Sequence, residues 1–236
     1  MVRSSIFGTA LASRGTFGEP ALDRPRYIVV EGPIGVGKTS LVEMLVKEFG
    51  ARPVYEAVEQ NPFLERFYED RAKYAFQTQL FFLLSRYQQQ RELRQPELFK
   101  RSVISDYLFA KDRIFAYLNL SDDELALYEQ VFRMLDAQIP KPDLVIYLQA
   151  TPDVLCHRIE LRGKYFERNI STDYLDRLSQ AYADYFFHYT ECPLLTINTS
   201  EIDFVKHPED FALLVKEIRS MRAGTRSFVP LTSRGR

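Results

Sequence analysis

The sequence predicts an α/β protein, a three-layer α/β/α domain with a five-stranded parallel sheet. Short apolar runs suited to buried strands recur near residues 27, 53, 103, 144 and 195, and a segment with helical spacing follows each of them. Such alternation favours parallel strands with helices on both faces of the sheet. A chain of 236 residues with 46% hydrophobic content can bury one substantial core. A glycine-rich segment directly after the first run is the third observation, and it also predicts a binding site.

Residues 32–40 fit the phosphate-loop pattern G-x-x-x-x-G-K-[ST] without a mismatch. An apolar strand at 27–31 precedes them and helical spacing at 41–47 follows, which is the context the pattern requires. The glycines let backbone N–H groups approach a phosphate at the positive end of a helix dipole. They are Gly32, Gly35 and Gly37, and the motif continues with Lys38, Thr39 and Ser40. Because Lys38 adds a full charge and the Thr39 hydroxyl can ligate Mg²⁺, we expect a nucleoside triphosphate site in a phosphate-loop NTPase fold.

Composition argues against several classes of partner. The 31 basic and 32 acidic residues give a net charge of −1, so no surplus charge favours nucleic acid or a membrane surface. No apolar run approaches the roughly 18 residues needed to cross a bilayer. The two cysteines, Cys156 and Cys192, lack metal-ligand spacing, and such low usage suits a reducing compartment. The sequence therefore predicts a cytoplasmic protein with a small-molecule substrate.

Both ends of the chain differ in composition from the middle. Residues 1–25 are rich in Ser, Gly, Ala and Arg and contain no acid before Glu19, which predicts a flexible leader or, alternatively, an organelle transit peptide. Residues 222–236 carry four arginines and no acid, which predicts a flexible basic tail. The globular domain is expected over 26–221.

Acidic residues follow the second and third predicted strands. Glu56 comes after the short strand near 53, and Asp106 follows the apolar run 102–105. Ligand-binding residues gather at the carboxyl ends of parallel strands, so both acids are site candidates. Asp106 combined with the phosphate loop predicts an Mg²⁺ site, whereas Glu56 could also be a solvated loop residue.

Between these acids, residues 61–95 predict two helices. The second is apolar over more than half of its circumference, which favours a core helix or a dimer-interface helix. Gln79 and Arg86 are seven positions apart and so share one face of it. Further helices are expected from 111 to 116 and, after a capping box at Ser121 and Glu124, to about 137.

A cationic segment follows the fourth strand, which is expected at 143–148. Arg158, Arg162, Lys164 and Arg168 lie within eleven residues around Gly163. A glycine hinge in such a cluster is typical of a mobile lid over transferring phosphates, and a solvated helix face is the alternative. Helices near 172–190 and 208–221 flank the fifth strand, at 194–198.

Several separate segments resemble one family. They are the E-G-P-I-G-V-G-K-T segment at 31–39, E-A-V at 56–58, L-R-G-K at 161–164 and D-F at 203–204. With the spacing of Tyr68, Gln79 and Arg86, these motifs make the chain similar to the deoxyribonucleoside kinases, which act on deoxycytidine, deoxyguanosine or deoxyadenosine. The resemblance extends from about residue 26 to about 220.

The resemblance implies a role for each matching residue. Glu56 would be the general base, Tyr68 would bind the sugar, and Gln79 and Arg86 would bind the base, with Asp112 as the partner of Arg86. The lid would contain Arg158, Arg162, Lys164 and Glu167, and Asp203 and Phe204 would pack against the adenine of ATP. The resemblance also implies ATP and Mg²⁺ as cofactors and a homodimer.

Two positions depart from the family pattern. The family usually has an arginine after the acid of the third strand, but this chain has Tyr107, so a lid cation or Arg113 is expected to replace its charge. The proline after the catalytic glutamate is Ala57 here.

The expected reaction is transfer of the γ-phosphoryl group of ATP to the 5′-hydroxyl of a deoxyribonucleoside, as in nucleotide salvage. Deoxyadenosine or deoxyguanosine is the expected substrate, with deoxycytidine next. One alternative is a nucleoside-monophosphate kinase of the thymidylate kinase type, whose phosphate-bearing acceptor would require cations at the end of the second strand. Only Arg52 and Arg66 are expected there, which favours the nucleoside. The other alternative is a nucleotide-dependent switch with little turnover.

Overall fold

The computed structural model describes residues 27–93, 102–167 and 170–230. Six parallel strands form one sheet in the order β2-β3-β1-β4-β5-β6. Their bounds are β1 Tyr27–Glu31, β2 Arg52–Val54, β3 Val103–Ser105, β4 Leu144–Gln149, β5 Leu194–Asn198 and β6 Thr225–Phe228. The three-layer α/β/α phosphate-loop fold predicted from the sequence is confirmed.

Eight α-helices are described. They are α1 Lys38–Phe49, α2 Leu64–Glu69, α3 Arg71–Leu93, α4 Lys111–Asn119, α5 Asp122–Asp136, α6 Pro152–Arg162, α7 Thr172–Phe187 and α8 Pro208–Ser220. Short 3₁₀ turns occupy Val58–Gln60 and Tyr165–Glu167. The capping box predicted at Ser121 and Glu124 begins α5, and Gly163 ends α6 in the left-handed conformation.

Apolar side chains from the central strands fill both faces of the sheet. Val30 and Ile146 pack with α1 and α8 residues in one cluster, whereas Val29 and Val145 pack with α4 and α7 residues in another. Successive residues of a strand point to opposite faces, so neighbours such as Val29 and Val30 enter different clusters. A strand covered on both faces reads as a continuous apolar run, which is why β1 and β4 were recognisable.

The sixth strand corrects the predicted number of five. Residues 225–228 lie in the segment expected to be a flexible tail, yet they pair with β5 from Leu194 to Ile197. Three of the four residues are exposed, so the strand has no apolar pattern, and its placement depends on backbone hydrogen bonds at the sheet edge.

The predicted leader at 1–25 lies outside the described residues. None of the described helices is long and apolar enough to cross a membrane.

Candidate active site

A cleft of about 900 Å³ opens at the carboxyl ends of the strands. Sixteen of the residues predicted for the site line it: Gly35, Gly37, Lys38, Thr39, Ser40, Glu56, Tyr68, Gln79, Arg86, Asp106, Arg158, Arg162, Lys164, Glu167, Asp203 and Phe204. Asp112 is fully buried and contacts Arg86. Elements that are far apart in sequence therefore converge on one cleft, as expected for a parallel sheet.

Two loop glycines are required by close packing as well as by backbone angle. Gly35 has φ 83°, and a Cβ there would lie 2.9 Å from the Leu155 carbonyl oxygen. A Cβ on Gly32 would lie 2.4 Å from the Leu148 carbonyl oxygen. Any side chain at either position would collide with backbone, so the loop can approach β4 and α6 closely only with glycine.

Glu31 fixes the loop to the segment after β3. The carboxylate is fully buried and accepts the N–H groups of Gly32 at 2.8 Å and Leu108 at 2.7 Å. The Tyr182 hydroxyl donates to it at 3.1 Å. Buried carboxylates require such partners, and these three join β1, α7 and the region of Asp106 around one side chain.

The side chain of Lys38 forms hydrogen bonds with two carbonyl oxygens of its own loop. Its ammonium donates to Gly32 at 2.7 Å and Pro33 at 3.0 Å. Burial lowers the pKa of this ammonium to about 8, and the charge of Lys111 acts in the same direction. A phosphate in the loop would favour the charged form and raise the pKa again.

This low pKa predicts that triphosphate binding takes up a proton. At pH 8 the free site is about half protonated, and a bound triphosphate would complete the protonation, giving uptake of about half a proton. Titration calorimetry with Mg-ATP at pH 8 in buffers of different ionisation enthalpy measures it. Lys38→Met is the control and should take up none, and equal uptake by both proteins would contradict the assignment to Lys38.

Thr39 and Asp106 meet as a candidate metal site. The Thr39 hydroxyl donates to Asp106 Oδ2 at 2.9 Å, and Asp106 Oδ1 accepts the backbone N–H of Glu56 at 2.8 Å. Burial and then the charge of Glu56 raise the pKa of Asp106. Among the described residues, no cluster of three or more acidic, His or Cys side chains could hold a metal alone. One hydroxyl and one carboxylate next to a phosphate loop fit Mg²⁺, which takes few protein ligands and completes its shell with water and phosphate.

Glu56 is held by two cations at the end of β2. Arg86 Nε donates to Oε1 at 2.8 Å, and Lys111 Nζ donates to Oε2 at 2.7 Å. Burial by itself would raise the pKa of this carboxyl, but the charges and hydrogen bonds of Arg86 and Lys111 outweigh it and hold the pKa well below its usual range. Glu56 is therefore ionised and oriented, and the two cations that hold it also make it a weaker base than a free glutamate.

Arg86 also contacts Asp112, so one guanidinium links two acids. Tyr128 donates to the other oxygen of Asp112 at 2.7 Å, and the Arg86 guanidinium lies 4.8 Å from the centre of the Phe82 ring. The expected pairing of Arg86 with Asp112 is present. Because this pair is buried, its geometry is strongly constrained.

Gln79, two turns before Arg86 on α3, has an unsatisfied polar atom. The residue is 2% exposed, and its Oε1 has no hydrogen-bond partner among the residues that the structure describes. Leaving a buried acceptor unpaired is costly, and this one belongs to a residue that lines the cleft. A ligand that donates a hydrogen bond there would remove the cost.

The lid residues contact each other and the acceptor side of the cleft. Arg162 binds both oxygens of Glu167 at 2.6 Å, and Lys164 pairs with Glu59 at 2.9 Å. Arg158 instead donates to carbonyl oxygens, at 3.1 Å to Val36 and 2.8 Å to Thr199. In this state Arg158 connects the phosphate loop to the segment after β5. The catalytic roles predicted for Arg158, Arg162 and Lys164 stay predictions. Arg168 lies outside the described residues.

Phe204 packs on the phosphate loop. It is buried, and a Cβ on Gly37 would lie 3.2 Å from its ring. Asp203 accepts the N–H groups of Val205 and Lys206 at 3.2 Å. The turn is thus held against the phosphate loop, and its contact with adenine stays a prediction.

Comparison with known proteins identifies the chain's relatives. The family model described as deoxynucleoside kinase matches residues 28–222. This chain belongs to the deoxynucleoside kinase family. It is 37% identical to deoxyguanosine kinase of Bacillus subtilis over 83% of this chain and 97% of that protein. It is 36% identical to deoxyadenosine kinase of Dictyostelium discoideum, over 83% and 80%, and 30% identical to human deoxycytidine kinase, over 84% and 92%.

Solved structures agree on the fold of this deoxynucleoside kinase. Deoxyadenosine kinase of M. mycoides with bound dCTP superposes with a TM-score of 0.71 at 24% identity, covering 83% of this chain and all of that one. The same enzyme with bound dATP gives a TM-score of 0.72. These structures confirm the fold, whereas the family match and the curated relatives show that the chain is a deoxynucleoside kinase.

Two site residues of this deoxynucleoside kinase were missed from the sequence. Lys111 reaches Glu56 and Tyr128 reaches Asp112, but a lysine or tyrosine in an amphipathic helix carries no signal of its own. Of the two expected substitutes for the missing cation, Arg113 does not reach the cleft: it pairs with Glu129 at 2.8 Å, and its side chain is 39% exposed. The other substitute, a lid cation, stays a prediction. Neither Arg113 nor Tyr107 is among the described residues that line the cleft.

Proposed function

We propose that this deoxynucleoside kinase transfers the γ-phosphoryl group of ATP to the 5′-hydroxyl of a purine deoxynucleoside. The observation that carries the proposal is the Glu56 carboxylate, which lines the same cleft as Lys38 and is held there by two cations. Glu56 would accept the hydroxyl proton, while Lys38 and the loop N–H groups hold the donor phosphates. Thr39 and Asp106 would hold Mg²⁺, which supplies charge neutralisation at the phosphates when bound.

Charge on the acceptor side favours a nucleoside over a nucleotide. The sequence predicted only Arg52 and Arg66 near the end of the second strand, but the structure brings Arg86 and Lys111 there. These two cations are matched by Glu56 and Asp112. The group is therefore neutral as a whole and lacks the surplus positive charge that a phosphate-bearing acceptor would need.

The base preference is proposed from Gln79 and the relatives. No described residue donates to the Gln79 Oε1, so this oxygen can accept from an exocyclic or ring N–H of a base, and the amide group can donate. Adenine and guanine each present donors and acceptors on one edge, as does cytosine. Similarity to proteins named deoxyguanosine kinase and deoxyadenosine kinase supports a purine deoxynucleoside as the substrate.

A second copy of this chain is the proposed protein partner. Leu84 on α3 is 48% exposed, and Leu127 and Met134 on α5 are 51% and 67% exposed. Exposed apolar side chains on neighbouring helices suit a homodimer interface. Sedimentation velocity gives the oligomeric state, and a monomer at micromolar concentration would contradict the proposal.

A substrate panel tests the proposed reaction. ADP release with Mg-ATP is measured for four deoxynucleosides and their monophosphates, with Lys38→Met as the control for contaminating kinases. We expect deoxyadenosine or deoxyguanosine to have the highest kcat/KM, with deoxycytidine next. Faster turnover of any monophosphate would favour the thymidylate kinase type, and absence of turnover with every acceptor would favour the switch.

A further inference from the structure

Lys111 is a buried lysine whose ammonium contacts the carboxylate of Glu56. It is 3% exposed, it lines the cleft, and its ammonium lies 2.7 Å from Glu56 Oε2. Burial of an ammonium is unfavourable unless an anion compensates it. Glu56 provides that anion, so the two residues fix each other's position.

The backbone before Lys111 holds it at this place. Lys111 is the first residue of α4, five positions after Asp106, and its N–H donates to the Leu108 carbonyl at 3.1 Å. The Leu108 N–H in turn donates to Glu31 in the phosphate-loop strand. Hydrogen bonds thus connect the backbone that carries Lys111 to the strand before the phosphate loop. The Lys111 charge also lies close enough to lower the pKa of Lys38.

No other cation of the same segment reaches the cleft. Residues 102–119 contain two cations, Lys111 and Arg113, and Arg113 pairs with Glu129. Tyr107 is fully buried and does not line the cleft. Of the two cations in this segment, Lys111 is therefore the one that lines the cleft, where it contacts the candidate base.

We propose that Lys111 positions Glu56 for the acceptor hydroxyl and supplies the positive charge beside the transferred phosphoryl group that position 107 lacks. The proposal rests on the proposed function. An ammonium has three donors, and one of them is directed at Glu56. The others can meet phosphoryl oxygens once the donor is bound, so Lys111 would stabilise charge that develops in the transition state.

Three variants test the proposal. Lys111→Met and Lys111→Gln remove the charge, Gln keeping a hydrogen-bond donor, and Lys111→Arg keeps the charge. We expect Lys111→Met and Lys111→Gln to lower kcat about 10²-fold, with a nucleoside KM within about threefold of the wild type. Lys111→Arg should have a kcat at least about tenfold higher than these two variants. Arg113→Met is the matched control on the same helix and should keep wild-type kcat.

The results separate the two proposals. If the wild type phosphorylates no deoxynucleoside, the proposed function fails and the role of Lys111 falls with it. If the wild type is active and Lys111→Gln retains its kcat, the Lys111 proposal alone is overturned. Equal loss in the Arg and Gln variants, matched by a lower thermal midpoint in both, would show a structural role and overturn it as well. If the Lys111→Met variant does not fold, the kcat of the Lys111→Gln variant tests the proposal.

Discussion

Replacing Glu56 by Gln is expected to lower kcat about 10²-fold or more while ATP binding is retained, because the amide cannot accept the hydroxyl proton. Glu56 is 11% exposed and has no described carboxylate neighbour that could take over, since Asp106 is engaged by Thr39 and by the Glu56 N–H. Single-turnover measurement with saturating ATP isolates the chemical step. The variant changes one atom of the side chain and keeps its size.

The control for this variant is Glu69→Gln, an exposed glutamate that does not line the cleft. It should keep wild-type turnover. A Glu56 variant within threefold of the wild type would remove proton transfer from the role of this residue. If the variant instead loses nucleoside affinity by the same factor as kcat/KM, the carboxylate serves to hold Arg86 and Lys111 in place, not to act as a base.

Replacing Arg86 by Met is expected to destabilise the protein by about 3–5 kcal/mol, because it leaves buried charge without its partner. Asp112 is fully buried and would keep only the Tyr128 hydroxyl, and Glu56 would keep only Lys111 among its described partners. Urea unfolding at pH 7, where both carboxylates are ionised in the unfolded chain, measures the change in free energy.

Two further proteins decide the cause of that loss. Arg219→Met breaks a surface pair with Glu48 whose side chains are 54% and 38% exposed, and it should cost at most about 1 kcal/mol. The double variant Arg86→Met with Asp112→Leu removes both buried charges and should recover much of the stability. A single variant as stable as the wild type, or a double variant no better than the single, would contradict this account of the pair.

The sequence by itself determined the nucleotide-binding half of this protein. The glycines, Lys38 and Thr39 are contiguous, and the strand and helix around them have local periodicities, so their geometry follows from spacing alone. The four interior strands were recognisable because most of their residues are buried. Asp106 was found in the same way, since an acid after an apolar strand must lie at the carboxyl edge of a parallel sheet.

Only the tertiary structure decided how the acceptor side is arranged. Lys111, Glu56 and Arg86 come from three elements, and no local pattern marks which cation of α4 faces the cleft and which, like Arg113, turns away. The strand β6 was missed for a related reason, because exposed polar residues at a sheet edge carry no period and are placed by pairing with β5. Interactions between distant segments are set by packing and by the need to compensate buried charge, and the linear sequence states neither.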